Sequence, residues 1–208
     1  TMVVTAEAAS SATLIHKKLE QLYNNPLYGK ATYRQHDGNG MQGCFAFINK
    51  LSIETFGIRI LYQAKNCYGV YTALSPKDNR ELSNAWSEIE NIVSTGSNNA
   101  NDSVLSLLKK AQAGDVFQYS SSITNPYHIA MVYNKTEASI TIWDNARSTG
   151  SRIKTYTWEK LTTNEGIGNF GETGKGLSLY RCNLPVKNPP CSHPNYDSFD
   201  ICKDCGEV

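Results

Sequence analysis

The runs His128-Ile129-Ala130-Met131-Val132-Tyr133 and Ile140-Thr141-Ile142-Trp143-Asp144-Asn145 decide how the fold is read. Both are dominated by β-branched and aromatic residues and are separated by a polar turn, the pattern of neighbouring strands. Working outward, segments of the same character predict strands over 115–119, 127–134, 138–144, 151–158 and 176–182. Upstream the spacing of apolar residues becomes helical. Leu14, Ile15, Leu19 and Leu22 mark a helix over 11–23, and Cys44, Phe47, Ile48 and Leu51 mark a second that Gly57 ends. Leu82, Trp86, Ile89 and Ile92 predict a third over 79–94, and Asp102-Ser103 cap a fourth running through Leu105, Leu107 and Leu108. Residues 24–43 read as a loop, and 58–74 as one or two strands. Helices first and strands afterward predict an α+β domain, its N-terminal helices packed on a mostly antiparallel sheet.

The 208 residues suffice for one catalytic-sized domain and a short appendage. A formal net charge of +1 with 19% charged residues provides no basic footprint, so nucleic acid is not an expected partner. No run reaches the roughly 20 apolar residues that cross a bilayer. The opening residues 1–10 read either as the remnant of an export signal, with an A-x-A pattern at Ala6 to Ala8, or as a disordered terminus. Export outside the cell is the expectation, and the chain is expected to act as a monomer.

Cys44 follows Gly43 at the start of a helical pattern. A thiol reacts as its thiolate, and the unpaired N–H groups of a helix N-terminus favour that charge. Gly43 permits close substrate approach, and first-turn amides could form one arm of an oxyanion hole. The competing reading is a small buried cysteine on a core-facing helix. His16, beside Lys17 and Lys18, reads as a solvated residue, His36 as a turn residue, and Gln42 as a loop residue or an oxyanion donor. Asp115 reads as a turn or hydrogen-bonding residue near the site.

A cysteine opening a helix, the later Gly114-Asp115 before a strand, His128 starting the next strand and a polar residue on the third together resemble the NlpC/P60 and CHAP group of papain-like cysteine peptidases. The likeness spans about residues 14–182 and is carried by four short stretches. It implies that Cys44 is the nucleophile, His128 the base and then the acid, and Asp144 the residue that orients the imidazole. Asp144 is preferred to Asn145 because it shares strand parity with Ile140 and Ile142, although a one-residue bulge would exchange them. By the same parity Trp143 packs outside or lines a cleft rim. The chain departs from the patterns of the families it resembles: Gly43-Cys44-Phe45-Ala46 stands where NlpC/P60 members have Asp-Cys-Ser-Gly, and Gln42 lies one place earlier than the CHAP glutamine.

Residues 11–184 thus form the expected hydrolase domain, and 185–208 a linker and tail. Cys191, His193, Cys202 and Cys205 have the spacing C-x-H-x8-C-x2-C, which suits a structural zinc knuckle with no open coordination position. Oxidation could instead pair Cys191 with Cys202 or Cys205. Cys67 and Cys182 are buried thiols or a pair. The implied activity is cleavage of amide bonds in peptidoglycan stem peptides or another peptide substrate. Acyl transfer of the transglutaminase or deamidase kind, and a non-catalytic binding module, are the alternatives.

Overall fold

A computed structural model describes residues 11–32, 43–60, 80–96, 99–120 and 128–187. Its helices are α1 (Ser11–Asn24), α2 (Pro26–Gly29), α3 (Gly43–Phe56), α4 (Arg80–Ala85), α5 (Asn99–Lys109) and α6 (Trp158–Leu161). Its strands are β1 (Trp86–Val93), β2 (Val116–Ser120), β3 (His128–Lys135), β4 (Ser139–Ala146), β5 (Gly150–Thr157) and β6 (Gly176–Cys182). The strands form one six-stranded sheet in the order β1-β6-β2-β3-β4-β5, and every adjacent pair is antiparallel. The fold is α+β, with N-terminal helices packed on an antiparallel sheet.

Side chains alternate across each strand, so the sheet separates two cores. On one face, Ile15 and Leu19 of α1 and Phe47, Ile48 and Leu51 of α3 pack with Val116, Ile129, Met131 and Trp143. On the other, Val104, Leu107 and Leu108 of α5 pack with Phe117, Ala130, Val132 and Ile142, and Phe170 joins them from the segment before β6. The direction of α3 follows from its aromatic contacts. Phe47 lies edge-on to Trp143 at 5.6 Å, and Phe56 lies edge-on to Trp86 at 5.6 Å. The helix therefore begins near the end of β4 and finishes beside β1. Gly114, in the turn into β2, has φ +85°, and a side chain there would meet Ile15 Cγ2 at 2.6 Å and Phe56 Cζ at 2.8 Å. Close approach of α1 and α3 to this turn requires glycine.

Several expectations change. Residues 79–94 are not one helix: α4 ends at Ala85 and Trp86 opens β1, which pairs with β6 from Trp86↔Cys182 to Val93↔Gly176. The apolar residues there had helical spacing, but Trp86 is buried while Ile89 and Val93 are exposed, so they do not form one stripe. Pairing with β6 overrides local preference. Helix α5 starts at Asn99, which puts Asp102 in its first turn and not at its cap. Among the described residues of the stretch 24–43, Pro26–Gly29 form a short helix, α2, capped by the Asn25 side chain accepting from the Leu27 amide. Trp143 is completely buried beneath α1 and α3, not at a rim. The residues 1–10 and most of 58–74 lie outside the described residues.

Candidate active site

Four side chains form a row across four strands at one end of the sheet. Tyr119 on β2 stands directly opposite His128 on β3, and their rings meet edge to face at 5.5 Å. His128 Nε2 lies 2.7 Å from Asp144 Oδ2 on β4. Asp144 is paired in register with Arg152 on β5. Arg152 donates from Nε to Asp144 Oδ1 at 2.7 Å and from Nη2 to Oδ2 at 3.0 Å, a bidentate clamp.

Asp144 is 1% exposed, and a carboxylate so placed needs the partners it has. Burial raises its pKa, but the hydrogen bonds and charges of His128 and Arg152 outweigh burial and hold it below the usual carboxylate range. An ionised carboxylate only accepts, so His128 Nε2 carries the proton in this contact. In the neutral ring, Nδ1 is then the basic nitrogen. Arg152 is held further toward its charged form, chiefly by the hydrogen bond to Asp144. Burial keeps the Tyr119 hydroxyl well above the ordinary phenol range; the negative charges of Asp144 and of a Cys44 thiolate act in the same direction, and Arg152 opposes them.

Because its pKa is depressed by folding, Asp144 contributes stability in full above the unfolded carboxyl's range, near pH 4. That contribution is lost as pH falls through the lower folded value. Unfolding free energy followed by denaturant titration from pH 6 to pH 2 is therefore expected to fall more steeply for the native chain than for Asp144→Asn. Parallel curves would contradict the clamp's role.

The cysteine reaches this end of the sheet from the other core. Gly43, with φ +65°, begins α3, and Cys44 follows in its first turn, 2% exposed. Cys44 precedes Phe47, which packs on Trp143, by about one helical turn, so it lies toward the end where β4 finishes and β3 begins. A negative charge on Cys44 would act on Tyr119, the residue opposite His128. Alternation nevertheless assigns His128 and Asp144 to the face of Ala130, Val132, Ile140 and Ile142, whereas Cys44 belongs to the α1 and α3 core. The thiol, at the start of α3, and the imidazole, at the start of β3, share one end of the sheet.

Asn145 points to the α1 and α3 face, opposite His128. Its Nδ2 donates to the Thr32 carbonyl at 3.2 Å, while its Oδ1 is buried without a partner. Asp115 lies at the other end of β2, not near the row. Arg181 holds it through two hydrogen bonds of 2.9 and 2.7 Å, and the Gln112 amide donates to its Oδ2 at 2.9 Å. Burial dominates there and raises Asp115's pKa despite Arg181, because the carboxylate is more deeply buried than the guanidinium. His16 is not solvated: its side chain is 20% exposed, and its ring packs against Tyr133 at 5.0 Å. Cys182 is a thiol whose pKa burial pushes up to about 11. Gln42, His36, Cys67 and the four tail residues Cys191, His193, Cys202 and Cys205 lie outside the described residues. Among the described residues no three His, Cys, Asp or Glu side chains gather as a metal site, and no helix is long and apolar enough to cross a membrane.

Arg152 and Tyr119 were not singled out from sequence. The hairpin itself contains the signal for Arg152: strands 139–146 and 150–157 fold about residue 148, which makes 144 and 152 cross-strand partners of opposite charge. Tyr119 carries no comparable mark. The chain matches no protein-family model, no curated protein and no solved structure.

Proposed function

We propose that the protein is an exported cysteine hydrolase of the papain-like NlpC/P60 and CHAP type, cleaving amide bonds in peptidoglycan stem peptides as a monomer. The observation that carries this reading is the His128–Asp144–Arg152 chain. It fixes the imidazole tautomer so that Nδ1 is left to serve as base, the arrangement a thiol nucleophile requires.

In the proposed reaction His128 Nδ1 takes the Cys44 proton, and the sulfur adds to the stem-peptide carbonyl carbon. The tetrahedral adduct expels the amine as the C–N bond breaks, and the imidazolium protonates the leaving nitrogen. Water, deprotonated by the same nitrogen, then cleaves the thioester, releasing the acid and restoring the thiol. Asp144 stays ionised throughout and supports the imidazolium. The helix N-terminus at Cys44 favours the thiolate. A zinc ion held by Cys191, His193, Cys202 and Cys205 belongs to the proposal as a staple for the tail and takes no part in these steps.

Strand alternation favours one second reading, a binding module in which Cys44 is a core residue. Selective alkylation separates the two. Under the hydrolase reading, iodoacetamide near neutral pH modifies Cys44 much faster than Cys182, whose thiol is held protonated by burial, as mapped by peptide mass spectrometry. Equal inertness of both residues would favour the binding module.

A further inference from the structure

The hydrogen bond to Asp144 fixes one atom of the His128 ring but not the plane of the ring. The terminal torsion of a histidine has a broad, two-fold well, so rotamer preference leaves the imidazole free to swing. A base must keep its free nitrogen aimed at the proton it removes, and a misplacement of about 1 Å can cost about 10²-fold in rate. Pairing in the sheet sets how the ring must lie. Met131 pairs with Trp143, so the next residues along the ladder, Ala130 and Asp144, stand side by side, and His128 lies two residues further along β3. The ring therefore reaches Asp144 diagonally, on the same face as Ala130, which contributes only a methyl.

Tyr119 stands on the other flank. It is paired with His128 where the β2 and β3 register ends, and its ring meets the imidazole at 5.5 Å with the planes 88° apart. That is the edge-to-face arrangement aromatic rings prefer. Tyr119 is 8% exposed, and its ring is held in turn by Phe117 at 5.6 Å and Phe170 at 6.4 Å. An imidazole swinging off Asp144 toward β2 runs into a side chain that has no room to yield. Burial keeps the phenol protonated, so Tyr119 adds no charge to the row.

We propose that Tyr119 is a positioning residue, its ring holding the His128 imidazole against Asp144 so that Nδ1 keeps one direction. The use of that direction rests on the hydrolase reading; the contact itself does not. The aromatic ring is the acting part, and the hydroxyl is dispensable.

The test compares Tyr119→Phe, which keeps the ring, with Tyr119→Leu, which removes it, and with Leu108→Ala, which opens a gap in the same core from α5. Two readings are taken below each melting transition in the full chain. One is the proton signal of His128 Nε2–H with histidine labelled, identified by its absence from His128→Gln; the other is kcat and KM for hydrolysis of a soluble stem-peptide fragment. The native chain, Tyr119→Phe and Leu108→Ala are expected to show a downfield signal protected from exchange with water, and kcat values within about threefold of one another. Tyr119→Leu is expected to lose that signal to exchange and to lower kcat by about 10- to 100-fold with KM little changed. Should Tyr119→Leu not fold, Tyr119→Met, unbranched and ringless, takes its place. A protected signal and native kcat in the ringless variant would overturn the proposal, as would equal losses in Tyr119→Phe or Leu108→Ala, or no protected signal in the native chain. Failure of the native chain to hydrolyse the fragment would overturn the hydrolase reading instead, and the His128 signal alone would then decide whether Tyr119 holds the ring.

Discussion

Replacing Cys44 with Ala is expected to reduce release of soluble fragments from purified peptidoglycan by on the order of 10³-fold or more, because the proposed covalent intermediate cannot form without the sulfur. The same substitution removes one atom from a site at the start of α3 that is 2% exposed. The melting temperature should therefore change little, and the loss would be chemical. Mass spectrometry of the digest would show which stem-peptide bond is opened by the native chain. Undiminished release by Cys44→Ala would remove the thiol from the reaction and leave His128 and Asp144 without a nucleophile. Loss of release accompanied by loss of structure would instead be read from the melt, and Cys44→Ser would then separate nucleophile from packing.

Trp143→Ala is expected to destabilise the fold by about 3–5 kcal/mol, the cost of removing a large aromatic side chain from a core that cannot collapse around the gap. Trp143 is 0% exposed and contacts the rings of Tyr23, Phe47 and Tyr133 edge-on at 5.5, 5.6 and 6.0 Å. Its indole N–H also donates to Ser151 Oγ at 2.8 Å, tying β4 to β5. These contacts join α1, α3, β3 and β5 at one residue. For a domain of this size the melting temperature should fall by roughly 6–20 °C, with Trp143→Phe falling by less. Because Asp144 follows in sequence, the variant should also loosen the row, so activity should decline below the new melting transition. A melting temperature within a degree or two of the native value would show that α3 is held by other contacts.

Tertiary pairing rewrote local expectation where apolar spacing was ambiguous. Leu82, Trp86, Ile89 and Ile92 are three or four residues apart, which satisfies a helix, but Glu88 and Glu90 also flank a register shift in the β1 and β6 pairing. A bulge disturbs the alternation by which a strand is recognised. The parity argument behind Asp144 found the residue that meets His128, yet placed Trp143 outward because it took one side of β4 as buried. Both sides are: the Ile140 and Ile142 face carries α5's core, and the Trp143 face carries that of α1 and α3.

The chain alone determined the α+β class, the positions of α1, α3 and the five strands from β2 to β6, and the candidate residues Cys44, His128 and Asp144, because periodicity, turn residues and a helix start are local properties. Only the folded molecule decided that β1 is a strand, that Arg152 clamps Asp144, that Tyr119 faces His128 and that Cys44 approaches this end of the sheet from the opposite core. Those outcomes depend on register between segments far apart in sequence, and register is selected by burying two faces of one sheet at once, a condition no single window of residues contains.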